Sequence, residues 1–225
     1  MTMRKTICIA TVVALAASGC AAPGGTGAES SGNDTVARCA VLGLGGAVFG
    51  ALIGGKNGAA KGAIAGLAAC AVIEMASRQT KSAAEVEQQY RVTNRNQLPS
   101  NATIDAFATV VTPNSAVKAG DAIKIDSTVR AVSGTSQPVR EIKEMLVAYT
   151  PDGQEFKRGE KRLNETAGSG EYVNSFTLKL PAGAPQGIYR LETTVFLNGT
   201  PMLKKDANVQ VALAGDGPAL AMLDR

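Results

Sequence analysis

Few side chains in this sequence can do chemistry, and cysteine leads them. Cysteines stand at 8, 20, 39 and 70. None are spaced as Cys-X-X-Cys, which argues against thiol exchange of the usual kind. The 225 residues contain no histidine. That removes the imidazole base, the Ser-His-Asp triad and the histidine metal ligand. Gly43 to Gly46 lies among other glycines, but it follows no strand and carries no Lys-Ser/Thr pair, so it does not read as a phosphate loop. Carboxylates crowd one stretch, at Glu141, Glu144, Asp152, Glu155, Glu160 and Glu165. An acid pair or cation site needs such groups gathered in a pocket. Here Lys143, Lys157, Arg158, Lys161 and Arg162 are interleaved with them, the pattern of an ordinary exposed hairpin. The expectation is a non-enzyme, with no catalytic residue, no metal and no cofactor.

Cys20 has the most informative surroundings. Arg4 and Lys5 form a positive start, Ile7 to Ala17 is apolar and too short to span a bilayer as a helix, and Ala17-Ser18-Gly19 leads into the cysteine. A charged start, a short apolar run and a small-residue site are the parts of an export signal. An ordinary signal peptide or a buried N-terminal helix are the other readings of these parts. The Ala17–Cys20 stretch resembles the lipobox of bacterial lipoproteins, departing from it at Ala17, where leucine is usual. The resemblance implies that residues 1–19 are a removed signal peptide and that Cys20 carries lipid (palmitate and its like) on its sulfur and new amino terminus. Several acyl chains anchor firmly, since each buried CH₂ contributes about 0.8 kcal/mol. Residue 21 is Ala rather than Asp. By resemblance to enteric lipoproteins, this implies the outer membrane of the cell envelope, facing the periplasm or the cell surface.

The elements that follow must position whatever the anchor carries. Residues 20–35 are rich in Gly, Ser and Pro and read as a flexible tether. Residues 36–76 are Gly- and Ala-rich, with glycines every fourth position at Gly46, Gly50 and Gly54, then Gly58, Gly62 and Gly66. Positions four apart share a helix face, and a glycine stripe lets a second helix approach to backbone contact. Gly54-Gly55-Lys56-Asn57-Gly58 is a breaker cluster. The expectation is two antiparallel helices, about 37–54 and 58–76. Cys39 and Cys70 are equidistant from the turn between Gly54 and Gly55, which places them opposite each other in such a hairpin. They either form a disulfide, worth roughly 3–4 kcal/mol for a loop of this size, or act as two small buried hydrophobes.

This segment resembles the glycine-zipper domain of outer-membrane lipoproteins of the 17 kDa surface antigen type, over about forty residues of the chain. The resemblance implies a helix-packing, membrane-embedded or oligomerising element built on the same six glycines. Each apolar arm is about 15 to 16 residues, short of the ~20 that span a bilayer, and Lys61 interrupts the second. Association with membrane or with other zippers and a self-contained soluble hairpin both remain open.

Residues 77–100 turn polar and read as a helical linker, with Ala83, Val86 and Tyr90 at helical spacing and Leu98-Pro99 as its stop. Residues 101–213 alternate as strands. In Ala122 to Val132, Ile123, Ile125, Val129 and Ala131 share one face. Further strands are expected at Ile104 to Val111, Ile142 to Thr150, Gln154 to Arg158, Tyr172 to Leu180, Tyr189 to Leu197 and Val209 to Leu213. Pro151-Asp152-Gly153 and Asn198-Gly199 form turns between them. That makes about seven strands at sandwich-like spacing. The run from Leu180-Pro181 to Tyr189-Arg190-Leu191 resembles the start of the penultimate strand in bacterial immunoglobulin-like domains. By that resemblance Tyr189 is the corner tyrosine, bonding nearby backbone through its hydroxyl. No Cys or Trp lies in this region, unlike the antibody type. A small β-barrel is the other reading, and residues 214–225 read as a loose tail.

The fold expected is thus α+β, an N-terminal Gly-rich antiparallel helical hairpin followed by an Ig-like β-sandwich. The net charge is +4, of which Arg4 and Lys5 supply two, too little to argue for nucleic acid. The function expected is that of a structural or interaction lipoprotein. Its partners would be membrane lipid through acylated Cys20, its own copies through the glycine zipper and an unidentified envelope protein through the sandwich. The rival is a zipper-mediated oligomeric assembly or pore in the outer membrane.

Overall fold

Alternating apolar residues from position 103 onward fold as the period predicts, into strands that bury one face each. The computed structural model describes residues 66–114 and 116–212. Cys20, Cys39, Gly46, Gly50, Gly54, Gly58 and Gly62 lie outside the described residues, as do the signal segment, the tether and the tail. In chain order the elements are β1 (Val72–Lys81), α1 (Ala83–Thr93), β2 (Thr103–Thr112), β3 (Val117–Lys118), β4 (Ala122–Val132), β5 (Ile142–Tyr149), β6 (Glu155–Arg162), β7 (Gly170–Lys179), β8 (Gly187–Leu197) and β9 (Thr200–Ala212). Residues 66–70 are also helical. One sheet runs β1-β7-β4-β2 and the other β3-β9-β8-β5-β6. The two pack face to face as a β-sandwich. Among the described residues the chain is therefore mostly β, with nine strands rather than seven and little helix.

The main departure from expectation lies at the front of the sandwich. Residues 72–76 were expected to end a helix and 77–81 to begin a helical linker. Instead Val72–Lys81 is an edge strand, paired antiparallel with β7 from Val72 opposite Lys179 to Lys81 opposite Glu171. Glu74, Met75, Ala76, Arg78 and Gln79 are good helix formers, but a ladder of this length, offered by an already formed sheet, outweighs their preference. Only 83–93 of the expected linker is helical. Ser82 caps it by accepting from the Glu85 backbone N–H while the Glu85 carboxylate accepts from the Ser82 N–H at 2.7 Å, a reciprocal capping box. Val86 is its buried anchor. Two strands also run longer than expected, β6 to Arg162 and β9 back to Thr200. Val117–Lys118 adds a short strand that pairs parallel with β9.

Helical residues 66–70 run into β1 with only Ala71 between. Leu67 and Ala71 are buried in the sandwich core, with Ala68 packed against it. The Lys157 ammonium donates to the Ala68 carbonyl at 3.1 Å, where a cation complements the carbonyl end of a helix. The joint between the glycine-rich segment and the sandwich is thus a packed contact and not a spacer.

The sandwich interior is two apolar clusters with polar side chains between them. One holds Ile123, Ile125, Leu146, Phe176, Leu178, Tyr189 and Leu191. The other holds Val129, Ala131, Ile142, Tyr172, Val195 and Leu197. Thr109, Ser127, Asn174 and Ser77 are successive cross-strand partners in the first sheet. Glu144 and Thr193 are buried polar residues of the second, Glu144 opposite Val195 and Thr193 opposite Leu146. Glu144 corrects the exposed-hairpin reading of the acidic stretch, because it is fully buried.

Tyr189 is also fully buried, and its hydroxyl donates to the Pro185 carbonyl at 2.9 Å. That is the corner bond its position implied. Burial, with the Asp152 charge adding, pushes its phenol up to about 12, so it remains a donor at all ordinary pH. Tyr189→Phe removes this one bond while leaving the ring against Phe156. The expected loss is about 1 kcal/mol in unfolding free energy, read from the urea midpoint with unchanged slope.

Candidate interaction surface

The sandwich is open along one flank, where the edge strands β1 and β6 lie side by side. Each pairs with one neighbour only, β7 and β5 respectively. Near the start of β1 the flank is shut. Ile73 and Met75 lie over Gly159 of β6, so closely that a Cβ on Gly159 would sit 3.0 Å from Ile73 Cγ2. Glycine at 159 is what permits this approach. Further along, past Ser77, the side chains no longer meet. A cleft of about 680 Å³ opens, walled by Ser77, Arg78 and Gln79 from β1 and by Lys161, Arg162 and the segment 163–166 from the β6 side. Tyr172 closes its inner end.

The β6 wall is held in place by Asn164, which is 1% exposed. Its side-chain oxygen accepts from the Ile142 N–H at 2.8 Å, and its amide donates to the carbonyls of Arg140 and Thr166 at 3.1 and 3.0 Å. Arg162 Nε donates to the Asn164 carbonyl at 2.9 Å, so the guanidinium is tethered at the rim. These bonds form within the wall itself, so the cleft is pre-shaped.

Several charged side chains outside the cleft are paired with one another. On the outer face of the second sheet, Arg190 bridges Glu192 and Asp206, and Lys204 pairs with Glu192 at 2.7 Å. Arg190 also stacks 3.7 Å from the Tyr149 ring centre. On the first sheet, Glu171 takes Lys81 and Arg130 at 3.0 and 2.8 Å, and Arg130 reaches Asp105 as well. Burial works against the Glu171 charge, but its bonds to Lys81, Arg130 and Thr80 outweigh that and hold its carboxyl below the ordinary value. Those charges are spent within the fold. Arg78, Lys161 and Arg162 in the cleft have no carboxylate within ion-pair distance among the described residues. Glu165 is the one acidic side chain in the cleft walls. The arrangement suits an anionic group that enters beside an unpaired strand edge.

None of these residues stood out as a site in the sequence. Arg78 and Gln79 read as the solvated face of a helix, and Lys161 and Arg162 as the exposed face of a hairpin. One available signal was the switch of Ile73, Met75 and Ser77 from helical to alternating spacing. Of the residues singled out beforehand, Gly66 lies at the start of the helical stretch 66–70, and Cys70 at its end is half-buried. No group of three or more potential metal ligands occurs among the described residues, and no described helix is long and apolar enough to cross a membrane.

No family model matches the sequence, and no curated protein matches it. Solved structures do. The chain is similar to the CARDB domain of the PF1109 protein from Pyrococcus furiosus, solved in complex with di-metal ions, at 15% identity and a TM-score of 0.34, over 52% of this chain and 94% of that one. It is similar to the C-terminal domain of wzt at 14% identity and a TM-score of 0.39, over 53% and 78%. It is also similar to a Bacteroides uniformis beta-glucuronidase at 17% identity and a TM-score of 0.32, over 47% and 13%. At these scores the likenesses decide nothing about function.

Asn164→Ala strips the wall of three hydrogen bonds and leaves the Ile142 N–H without its partner. The expected cost is about 2 kcal/mol, read by denaturant unfolding, with faster amide exchange over 162–166.

Proposed function

We propose that this protein is an envelope lipoprotein, anchored to the outer membrane through acylated Cys20, whose β-sandwich holds an acidic, extended segment of an envelope protein. The observation that carries the binding reading is the cleft between β1 and β6. It sets cations without a carboxylate partner beside an unpaired strand edge. An extended segment adding to that edge gains main-chain hydrogen bonds, and its acidic side chains meet Arg78, Lys161 and Arg162. The anchor rests on the charged start, the short apolar run and Ala17-Ser18-Gly19-Cys20. In this reading Cys39 bridges to Cys70. Its support is their equal distance from the Gly54-Gly55 turn and the disulfide-bonded state of Cys70. The packed joint at Leu67 and Ala71 would carry the geometry of the anchored segment directly into the cleft wall.

Two measurements test this. Palmitate labelling is expected to vanish in Cys20→Ala, and label retained there removes the anchor. A photoreactive side chain at Lys161, in envelopes, is expected to give a crosslinked adduct, while one at the exposed Ile188 on β8 does not. Adding Arg78→Glu and Arg162→Glu is expected to cut the adduct about tenfold, the effect of roughly 1.4 kcal/mol. Equal labelling from both positions, or no response to the charge reversals, removes the cleft as the docking surface.

The second reading, zipper-mediated assembly, is favoured by the fourfold glycine spacing. It predicts that Gly50→Leu and Gly62→Leu collapse a crosslinking ladder to monomer. A ladder unchanged in both variants rejects it.

A further inference from the structure

The two described side-chain atoms that are buried without a hydrogen-bond partner belong to the same pair of residues. They are Glu144 Oε1 and Asn174 Oδ1. Both residues are fully buried, and they already share one bond across the sandwich, Asn174 Nδ2 donating to Glu144 Oε2 at 2.9 Å. Both orphans are acceptors. An ionised carboxylate has nothing to donate to Asn174 Oδ1, which then stays unsatisfied at the full desolvation cost of a buried acceptor. A carboxylic acid has an O–H, and an acid facing an amide has complementary groups on both arms.

We propose that Glu144 is a neutral carboxylic acid in the folded domain, closed onto the Asn174 amide by two hydrogen bonds, and that this one proton makes the joint between the two sheets pH-responsive. The proton is taken from solvent and sits on Oε1, which then donates to Asn174 Oδ1. The surroundings support the neutral form. From β4 the facing group is Ser127, whose hydroxyl lies 3.3 Å from that of Thr109, with either able to donate, and also interacts with the Glu144 carboxyl. From β8 the neighbours are Val195 and Thr193, and from β1 it is Ser77 beside Asn174. The titratable groups nearby are Tyr172, two residues from Asn174 on the inner face of β7, and Lys161, the register partner of Glu144 on β6. No ion pair joins Lys161 to Glu144 among the described residues. Burial raises the Glu144 carboxyl above its ordinary value, and the Ser127 and Asn174 side chains offset only part of that.

The sign of the linkage follows. The folded state keeps a proton that the unfolded chain releases near the ordinary value of 4.5. The stabilisation is therefore full below that value and is lost as pH rises through the higher folded value. Glu144→Gln imitates the neutral acid and cannot ionise. The experiment is urea unfolding of the wild type and E144Q from about pH 5 to about pH 8, where one linked proton changes the folding equilibrium by up to about tenfold per pH unit. The wild type is expected to lose stability with rising pH relative to E144Q, and E144Q to be the more stable at the alkaline end. Parallel profiles, or an E144Q that is weaker at about pH 8, overturn the proposal. Infrared spectra of the wild type at about pH 6, where an exposed glutamate is ionised, give a second readout that does not depend on the variant folding. A protonated carboxyl band from a group shielded from rapid exchange supports the proposal, and its absence overturns it.

Discussion

The structure depends on the pairing of β1 with β7. That ladder takes residues whose local preference is helical and fixes them as the edge of a sheet. Two consequences follow from it. The helical stretch 66–70 is drawn against the sandwich, with Leu67 and Ala71 in the core. The flank beside β6 also becomes a cleft with two walls. Without β1 the first sheet would end at β7, and Arg78 and Gln79 would have no fixed place opposite Lys161 and Arg162. Edge strands are a liability that folds usually blunt with charge or cover. Here β6 carries the charge, in Lys157, Arg158, Glu160, Lys161 and Arg162, and β1 is partly covered where Ile73 and Met75 meet Gly159. The uncovered remainder is the proposed docking surface.

The second organising feature is the polar level through the core. A sandwich of this size gains most from continuous apolar packing, and each buried polar group costs unless it is satisfied. Thr109, Ser127, Asn174 and Glu144 divide the core where a wholly apolar one would be simpler. The cost is limited where Thr109 meets Ser127 and where the Asn174 amide donates to the Glu144 carboxyl. Such a layer also fixes register, because a slip of one sheet against the other would set Glu144 against leucine or valine. The same level reaches the flank at Ser77, the partner of Asn174, and at Lys161, the partner of Glu144, both of which line the proposed cleft.

Much of the sandwich was legible in the sequence because its strands alternate cleanly. Ala122–Val132 has the bounds its alternation predicts, and the corner role of Tyr189 comes from the resemblance of the run from Leu180 to Leu191 to immunoglobulin-like domains. Residues 72–81 were not legible, because their local preference points to helix and only the partner strand decides otherwise. Glu144 was misread for a related reason. Its neighbours Glu141, Lys143 and Glu160 carry the charge pattern of an exposed hairpin. Yet Glu144 falls two residues from Ile142 and from Leu146, on the apolar face of its own strand, just as Ser127 falls between Ile125 and Val129. Polar residues at apolar phase are the signal for a buried polar layer, and both were present. The cleft itself has no local signature, since its two walls lie about eighty residues apart in the chain and only topology joins them.

The most direct test of the account is amide exchange along Val72–Lys81, compared between the purified chain and the chain in its native envelope. If the cleft beside β1 is where a partner adds, the amides of β1 that point away from β7 exchange rapidly in the purified protein and become protected in the envelope, with 161–166 following. If protection in the envelope is confined to the glycine-rich segment and β1 exchanges identically in both states, the flank is an idle edge and the docking account is wrong.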